Sequence, residues 1–235
     1  MNQLDNQVFQ ERRNNFLSKL DGRAAIIPGA KLVKHHADCE YPFRQESNFW
    51  YLTGFDEPDA IALFLSHKPK GERYILFVHP KNIESEVWNG FRWGTNGAEK
   101  IFKADKSYPI SEFEKELPNY LMGADEIVFP VGKYPEIEHI VLSLWAKQID
   151  NYSRIGRAPR AIRPLGMFLN QMRLIKSEYE ISRMREAVLI SAEAHELVRL
   201  NVGSKKHEKQ IQGLLEGFFL EKGARGPAYN SIVAS

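Results

Sequence analysis

The sequence predicts an α/β domain, a mainly parallel or mixed sheet flanked by helices, followed by a shorter stretch of two helices and one strand. Three patterns lead there. Up to Asp150, short apolar runs bounded by turn residues alternate with apolar stripes at helical spacing, the arrangement in which helices cover a sheet. The stretch Ser153 to Gly166, SRIGRAPRAIRPLG, is rich in Arg, Pro and Gly without sustained periodicity, and reads as a boundary. From Ser177 the pattern is helical until a β-prone end, Tyr229 to Ser235.

Val8, Phe9, Arg12, Phe16, Leu17 and Leu20 form the stripe of a first helix that Gly22 stops. Ala24 to Ile27 reads as a buried strand ending at Pro28. Ala60 to Leu65 and Tyr74 to Val78 read as two more, joined by the polar turn HKPKGER. A helix is expected over Ile110 to Leu121, with Pro118 breaking its last turn. Glu126 to Phe129 is a short strand. Pro135 opens an amphipathic helix carrying Ile137, Ile140, Val141, Leu144 and Trp145. Phe168 to Lys176 reads as a connecting helix. Ser177 and Glu180 have the spacing of a capping box. Behind it, Ile181, Met184, Val188, Ser191, His195 and Val198 share one face, and Gly203 ends the helix. Ser204 is expected to cap the last helix, whose apolar face is Ile211, Leu214, Leu215, Phe218 and Phe219, with Gly223 as its C-terminal glycine.

Composition narrows the function. The 235 residues are 43% hydrophobic and 26% charged, with a formal net charge of +2. Mean hydropathy is −0.42, and no apolar run approaches the roughly 18 residues of a membrane helix. The polar N-terminus has no signal-peptide core. A cytoplasmic protein that binds neither membrane nor nucleic acid is expected, since no basic tract joins the mild positive charge. Lys205, Lys206 and Lys209 read as the solvated face of a helix. The single cysteine, Cys39, excludes an internal disulfide. There is no HExxH motif, phosphate loop or GxSxG elbow. His35, His36, Asp38 and Glu40 lie close in sequence, but a polar loop accounts for them. His195 reads as a hydrogen-bonded interior histidine, and His207 as part of the first turn of an exposed helix.

The most informative run is Tyr41 to Ala60, YPFRQESNFWYLTGFDEPDA, with six aromatics around Arg44 and Glu46. Charges among aromatics are costly unless paired, so these two are expected to anchor the loop or a subunit contact. The run resembles the signature of the N-terminal domain of the aminopeptidase P, or Xaa-Pro aminopeptidase, family. Three other stretches resemble the same family in the same order: SEVWNGFRWG (Ser85 to Gly94), MRLIKSEYEISRMREAVLISAEAH (Met172 to His195) and GARGPAYNSIVAS (Gly223 to Ser235). Thr53-Gly54 and the following EPDA favour aminopeptidase P over prolidase and creatinase.

The resemblance implies a twisted mixed sheet of the creatinase/aminopeptidase P type over residues 1–172. Residues 173–235 would then be a linker and the start of an α+β pita-bread domain, cut short at Ser235. It implies a metalloaminopeptidase that removes the residue preceding proline from peptides, using two manganese ions. Its five metal ligands, two Asp, one His and two Glu, are implied downstream of Tyr229 to Ser235, leaving this chain without catalytic or metal residues and inactive alone. Two substrate-binding residues are implied. Trp88 would reach a neighbouring subunit's active site in a homo-oligomer, dimer or tetramer, built through the N-terminal domain; packing against Phe91 and Trp93 is the structural alternative. Tyr229 would border the metal site, or be a buried strand tyrosine. The rival functions are a non-catalytic oligomerisation module and a prolidase-type peptidase.

Overall fold

The computed structural model describes residues 3–203 and 207–234, and the chain forms two compact units, Met1–Leu174 and Ile175–Ser235. The first unit opens with helix α1 (Gln3–Leu20) and strand β1 (Ala24–Pro28). A small exposed hairpin follows, β2 (Lys34–His36) with β3 (Cys39–Glu40), then helix α2 (Ser47–Thr53). Next come β4 (Ile61–Leu65), β5 (Tyr74–Val78), α3 (Ile83–Asn89), α4 (Gly94–Lys100) and β6 (Lys106–Pro109). The unit continues through α5 (Phe113–Leu121), β7 (Ile127–Phe129), α6 (Pro135–Asp150), α7 (Tyr152–Ile155), β8 (Ile162–Pro164) and α8 (Gly166–Leu174).

Six strands form one sheet in the order β6-β5-β4-β1-β7-β8. β4 is antiparallel to both its neighbours, and the other pairings are parallel. The central runs AAIIP, IALFL and YILFV are buried along their whole length, as strands covered on both faces must be. Alternate residues feed two cores. Ala25, Ile27, Phe64 and Leu76 pack with Phe16 and Leu20 of α1, Phe49 and Leu52 of α2, and Leu169 of α8. Ile26, Leu63, Ile75 and Phe77 pack with Phe113, Leu117 and Leu121 of α5 and Val141 of α6.

The expected stripe of α1 is there, but Arg12 and Arg13 are buried too. Each donates to an end carbonyl of α2, Arg12 Nη1 to Tyr51 O and Arg13 Nη1 to Leu52 O, both at 3.3 Å. These carbonyls have no intrahelical partner and sit at the negative end of the helix dipole, so guanidiniums suit them.

Three sequence expectations for this unit need correction. The stretch read as a boundary contains β8, an edge strand whose burial falls from intermediate at Ile162 to exposed at Arg163 and Pro164; with one polar rim and a proline end it has no alternating pattern. β6 was likewise not assigned. Pro118 does not break α5, which runs on to Leu121. Burying Leu117 and Leu121 gains about 1.5–3 kcal/mol each, enough to offset a proline cost of about 3 kcal/mol.

Glu126 joins three strands. Its carboxylate accepts from Arg23 Nε at 2.6 Å and Arg163 Nη2 at 2.8 Å, and only 12% of the side chain is exposed. Hydrogen bonds from Arg163 and then Arg23 hold its pKa down at about 2. A depressed carboxylate stabilises the fold above its unfolded pKa, and that stability is lost as pH falls towards 2. Glu126→Gln should therefore cost about 1–2 kcal/mol at pH 7, after allowing for solvent screening of the two arginines. In urea unfolding the gap from the parent should narrow at pH 3; a gap independent of pH would refute this origin.

The second unit has two helices, α9 (Glu178–Asn201) and α10 (Glu208–Glu221). Ser177 and Glu180 form the expected capping box, and Gly223 follows α10 at φ +83°. Ser204, Lys205 and Lys206 lie outside the described residues. The residue capping α10 is His207, whose ring accepts from Lys209 N–H. On α9 the expected apolar face is only partly covered: Ile181, Ser191 and Val198 are half-buried, while Met184 and Val188 are 55% and 65% exposed. Among the described residues, 229–234 are irregular and do not form the expected strand. A strand needs a neighbour to pair its backbone groups, and neither α9 nor α10 offers one.

Candidate functional site

The run Tyr41 to Ala60 builds a platform at the end of the sheet where β1 and β5 finish. Glu46 caps α2, accepting from the N–H groups of Asn48 (2.7 Å) and Phe49 (2.8 Å). Gly54 closes the helix in the left-handed conformation, φ +66°, which costs glycine least. Thr53 Oγ1 donates to Phe49 O and accepts from Phe55 N–H. Glu46 thus anchors the loop, whereas Arg44 is exposed and donates to Ser47 Oγ at 3.3 Å.

Besides Thr53, Gln45 and Glu57 are buried polar residues here, 6% and 5% exposed, and sequence reasoning missed both. Gln45 Oε1 accepts from Ala30 N–H (2.7 Å) and Glu46 N–H (2.8 Å). Its Nε2 donates to Phe55 O (3.2 Å) and Glu57 O (2.8 Å). Glu57 Oε1 accepts from Trp93 N–H at 2.7 Å, while Oε2 is buried with no hydrogen-bond partner among the described residues. Burial pushes its pKa up, against the pull of the Trp93 N–H and Arg92. The signal available in sequence was the pair of polar side chains bracketing an aromatic run, Gln45 before it and Glu57 in the turn after it.

From this platform the chain after β5 projects α3. Asn82 Oδ1 accepts from Glu84 N–H at 2.9 Å, and Glu86 Oε1 accepts from Arg92 N–H at 3.3 Å. Phe91 meets Trp93 edge-on at 4.8 Å, and Trp93 meets Phe102 in the same way at 5.6 Å. Trp88 does not join this stack. It is 89% exposed, beside Ile83 and Val87 at 78% and 77%. The alternative of ordinary packing for Trp88 is therefore not what the structure shows: Phe91 and Trp93 pack with each other.

Tyr229, in the second unit, is 77% exposed. With Ser191 and His195 of α9 and Phe219 of α10 it lines a cavity of about 430 Å³. His195 is hydrogen-bonded, Nδ1 to Ser191 O at 2.7 Å, but it is exposed rather than interior. Trp88 and Tyr229 belong to different units, and each is placed only within its own.

The hairpin carrying His35 and His36 is exposed, with His35 edge-on to Tyr41 at 4.6 Å. Among the described residues no group of three or more His, Cys, Asp or Glu could hold a metal ion, so the residues present do not fit a metal centre. Nor is any helix among them long and apolar enough to cross a membrane.

The mixed sheet, the aromatic platform and the projecting α3 define a class: an aminopeptidase P N-terminal domain followed by the beginning of a metallopeptidase domain. The chain belongs to the aminopeptidase P family. Residues 9–129 match the family's N-terminal domain, and residues 182–235 match metallopeptidase family M24. It is 33% identical to the Xaa-Pro aminopeptidase of Escherichia coli K12 across all of this chain and 54% of that protein. Among solved structures it is similar to Pseudomonas aeruginosa aminopeptidase PepP, with a TM-score of 0.92 and 31% identity over 97% of this chain and 52% of that one. Zinc-substituted E. coli aminopeptidase P in complex with product matches at a TM-score of 0.90 and 33% identity, over 97% and 52%. The chain spans about half the length of these relatives.

Proposed function

We propose that this chain is the N-terminal portion of a cytoplasmic, manganese-dependent Xaa-Pro aminopeptidase, which removes the residue preceding proline from peptides. The observation that carries the reading is the ordered double match, an aminopeptidase P N-terminal domain followed by the start of an M24 metallopeptidase. In this reading residues 1–172 form a domain that narrows access to the active site, and residues 173–235 begin the catalytic domain. Trp88, exposed on α3 beside Ile83 and Val87, covers the substrate of a neighbouring subunit in a homo-oligomer and excludes water there. Tyr229 offers a phenol to a ligand carboxylate or to the developing oxyanion. Two metal ions, held by ligands that the resemblance implies downstream and by none of the described residues, would supply Lewis-acid activation of water and carbonyl to the complete protein.

The resemblance implies five metal ligands downstream of Tyr229 to Ser235. The purified 235-residue chain should accordingly release no amino acid from a peptide with proline second, with or without added manganese. Chelator-sensitive release by this chain alone would overturn that part of the reading.

A further inference from the structure

At the end of the sheet where β5 begins, opposite the end from which α3 departs, a cavity of about 250 Å³ opens. Its walls come from α1, the turn joining β4 to β5, and the turn between α4 and β6. They carry four cations, Arg13, Lys70, Arg73 and Lys103, and one carboxylate, Asp105. Asp105 Oδ2 already accepts the backbone N–H groups of Arg73 (2.8 Å) and Tyr74 (2.9 Å), so much of its hydrogen-bonding capacity is taken up by the wall itself.

Two groups lining this cavity, Arg13 and Tyr74, are buried. Arg13 is 5% exposed, with its guanidinium 4.6 Å from the centre of the Tyr74 ring. Tyr74 is 3% exposed, and its hydroxyl is buried with no hydrogen-bond partner among the described residues. Arg13 Nη1 already donates to Leu52 O at 3.3 Å and Arg73 Nε to Lys68 O at 2.7 Å, each using one of the five N–H donors of its guanidinium, whereas an unmatched buried hydroxyl is unfavourable. Burial also raises the Tyr74 pKa, which keeps the phenol protonated and able to donate. The positive charges converge from three segments, as needed to meet several oxygens at once. One water occupies about 30 Å³ of liquid, so the cavity has room for a tetrahedral oxyanion and a small organic remainder.

We propose that this cavity binds a phosphate group, either free inorganic phosphate or the head of a small phosphomonoester. Arg13, Lys70, Arg73 and Lys103 neutralise it, and the Tyr74 hydroxyl donates to one of its oxygens. Charge-assisted hydrogen bonds of this kind are the strong ones, and their exposed lysine share is screened by salt.

Calorimetric titration of the full chain at low salt tests this, with inorganic phosphate in one arm and glycerol phosphate in the other. Saturable binding of one anion per chain is expected, weakening as chloride is added. The arm that binds tighter identifies the source. Lys70→Ala with Lys103→Ala changes two exposed side chains and should weaken binding at least tenfold. Tyr74→Phe keeps the ring stacked on Phe64, 5.2 Å away; it should weaken binding several-fold while melting no lower than the parent. No saturable binding by the parent in either arm would overturn the proposal. So would equal binding by the parent, the lysine double variant and Tyr74→Phe.

Discussion

Gln45→Ala is expected to lower the stability of the first unit by about 3–4 kcal/mol, which would be among the largest effects of any polar substitution in this chain. The amide is 6% exposed and makes four hydrogen bonds, two accepted and two donated. Alanine would leave the Ala30 and Glu46 N–H groups and the Phe55 and Glu57 carbonyls without this partner. Each orphaned buried group costs about 1–3 kcal/mol, and the sum is reduced because the loops relax together. Urea unfolding at pH 7 would show the loss as a lower midpoint with an unchanged slope. A loss below about 1 kcal/mol would show that Gln45 does not hold these loops.

Trp88→Ala should do the reverse, leaving the fold alone and impairing function. At 89% exposure the side chain contributes little to the chain's own stability, so unfolding should shift by less than about 0.5 kcal/mol. On the proposed reading, in which the complete protein forms a homo-oligomer, a tryptophan closing a neighbour's substrate site would act as a hot spot, for which about 2 kcal/mol is typical. That corresponds to a fall in kcat/KM of about 30-fold. The fall should be smaller for dipeptides, which reach less far from the scissile bond, than for longer peptides. Unchanged kinetics on long peptides would remove Trp88 from the site and return it to the role of an exposed surface residue.

Much of the fold was legible because its strands are continuous apolar runs and its helices carry caps that local chemistry dictates. AAIIP, IALFL and YILFV are buried on both faces, and Ser177 with Glu180 forms the capping box that the spacing announces. What escaped depends on partners distant in sequence. Lys106–Pro109 and Ile162–Pro164 become strands by pairing with β5 and β7, and neither has a periodicity of its own. The β-prone residues after Tyr229 have the composition of a strand but no neighbour to pair with. Within the platform the charges were visible and the hub was not. Arg44 and Glu46 drew notice as charged residues, yet Gln45 between them is the buried one, a role set by the loops at Ala30, Phe55 and Glu57 that fold around it.

The central claim is a peptidase that recognises proline in the second position, and one assay addresses it directly. The product of the complete reading frame, loaded with manganese, is given two peptides that differ only in proline or alanine at position two. Release of the first residue from the proline peptide alone, abolished by a chelator, is the result this account predicts. Equal release from both peptides, or none from either by a frame that ends at Ser235, would contradict it.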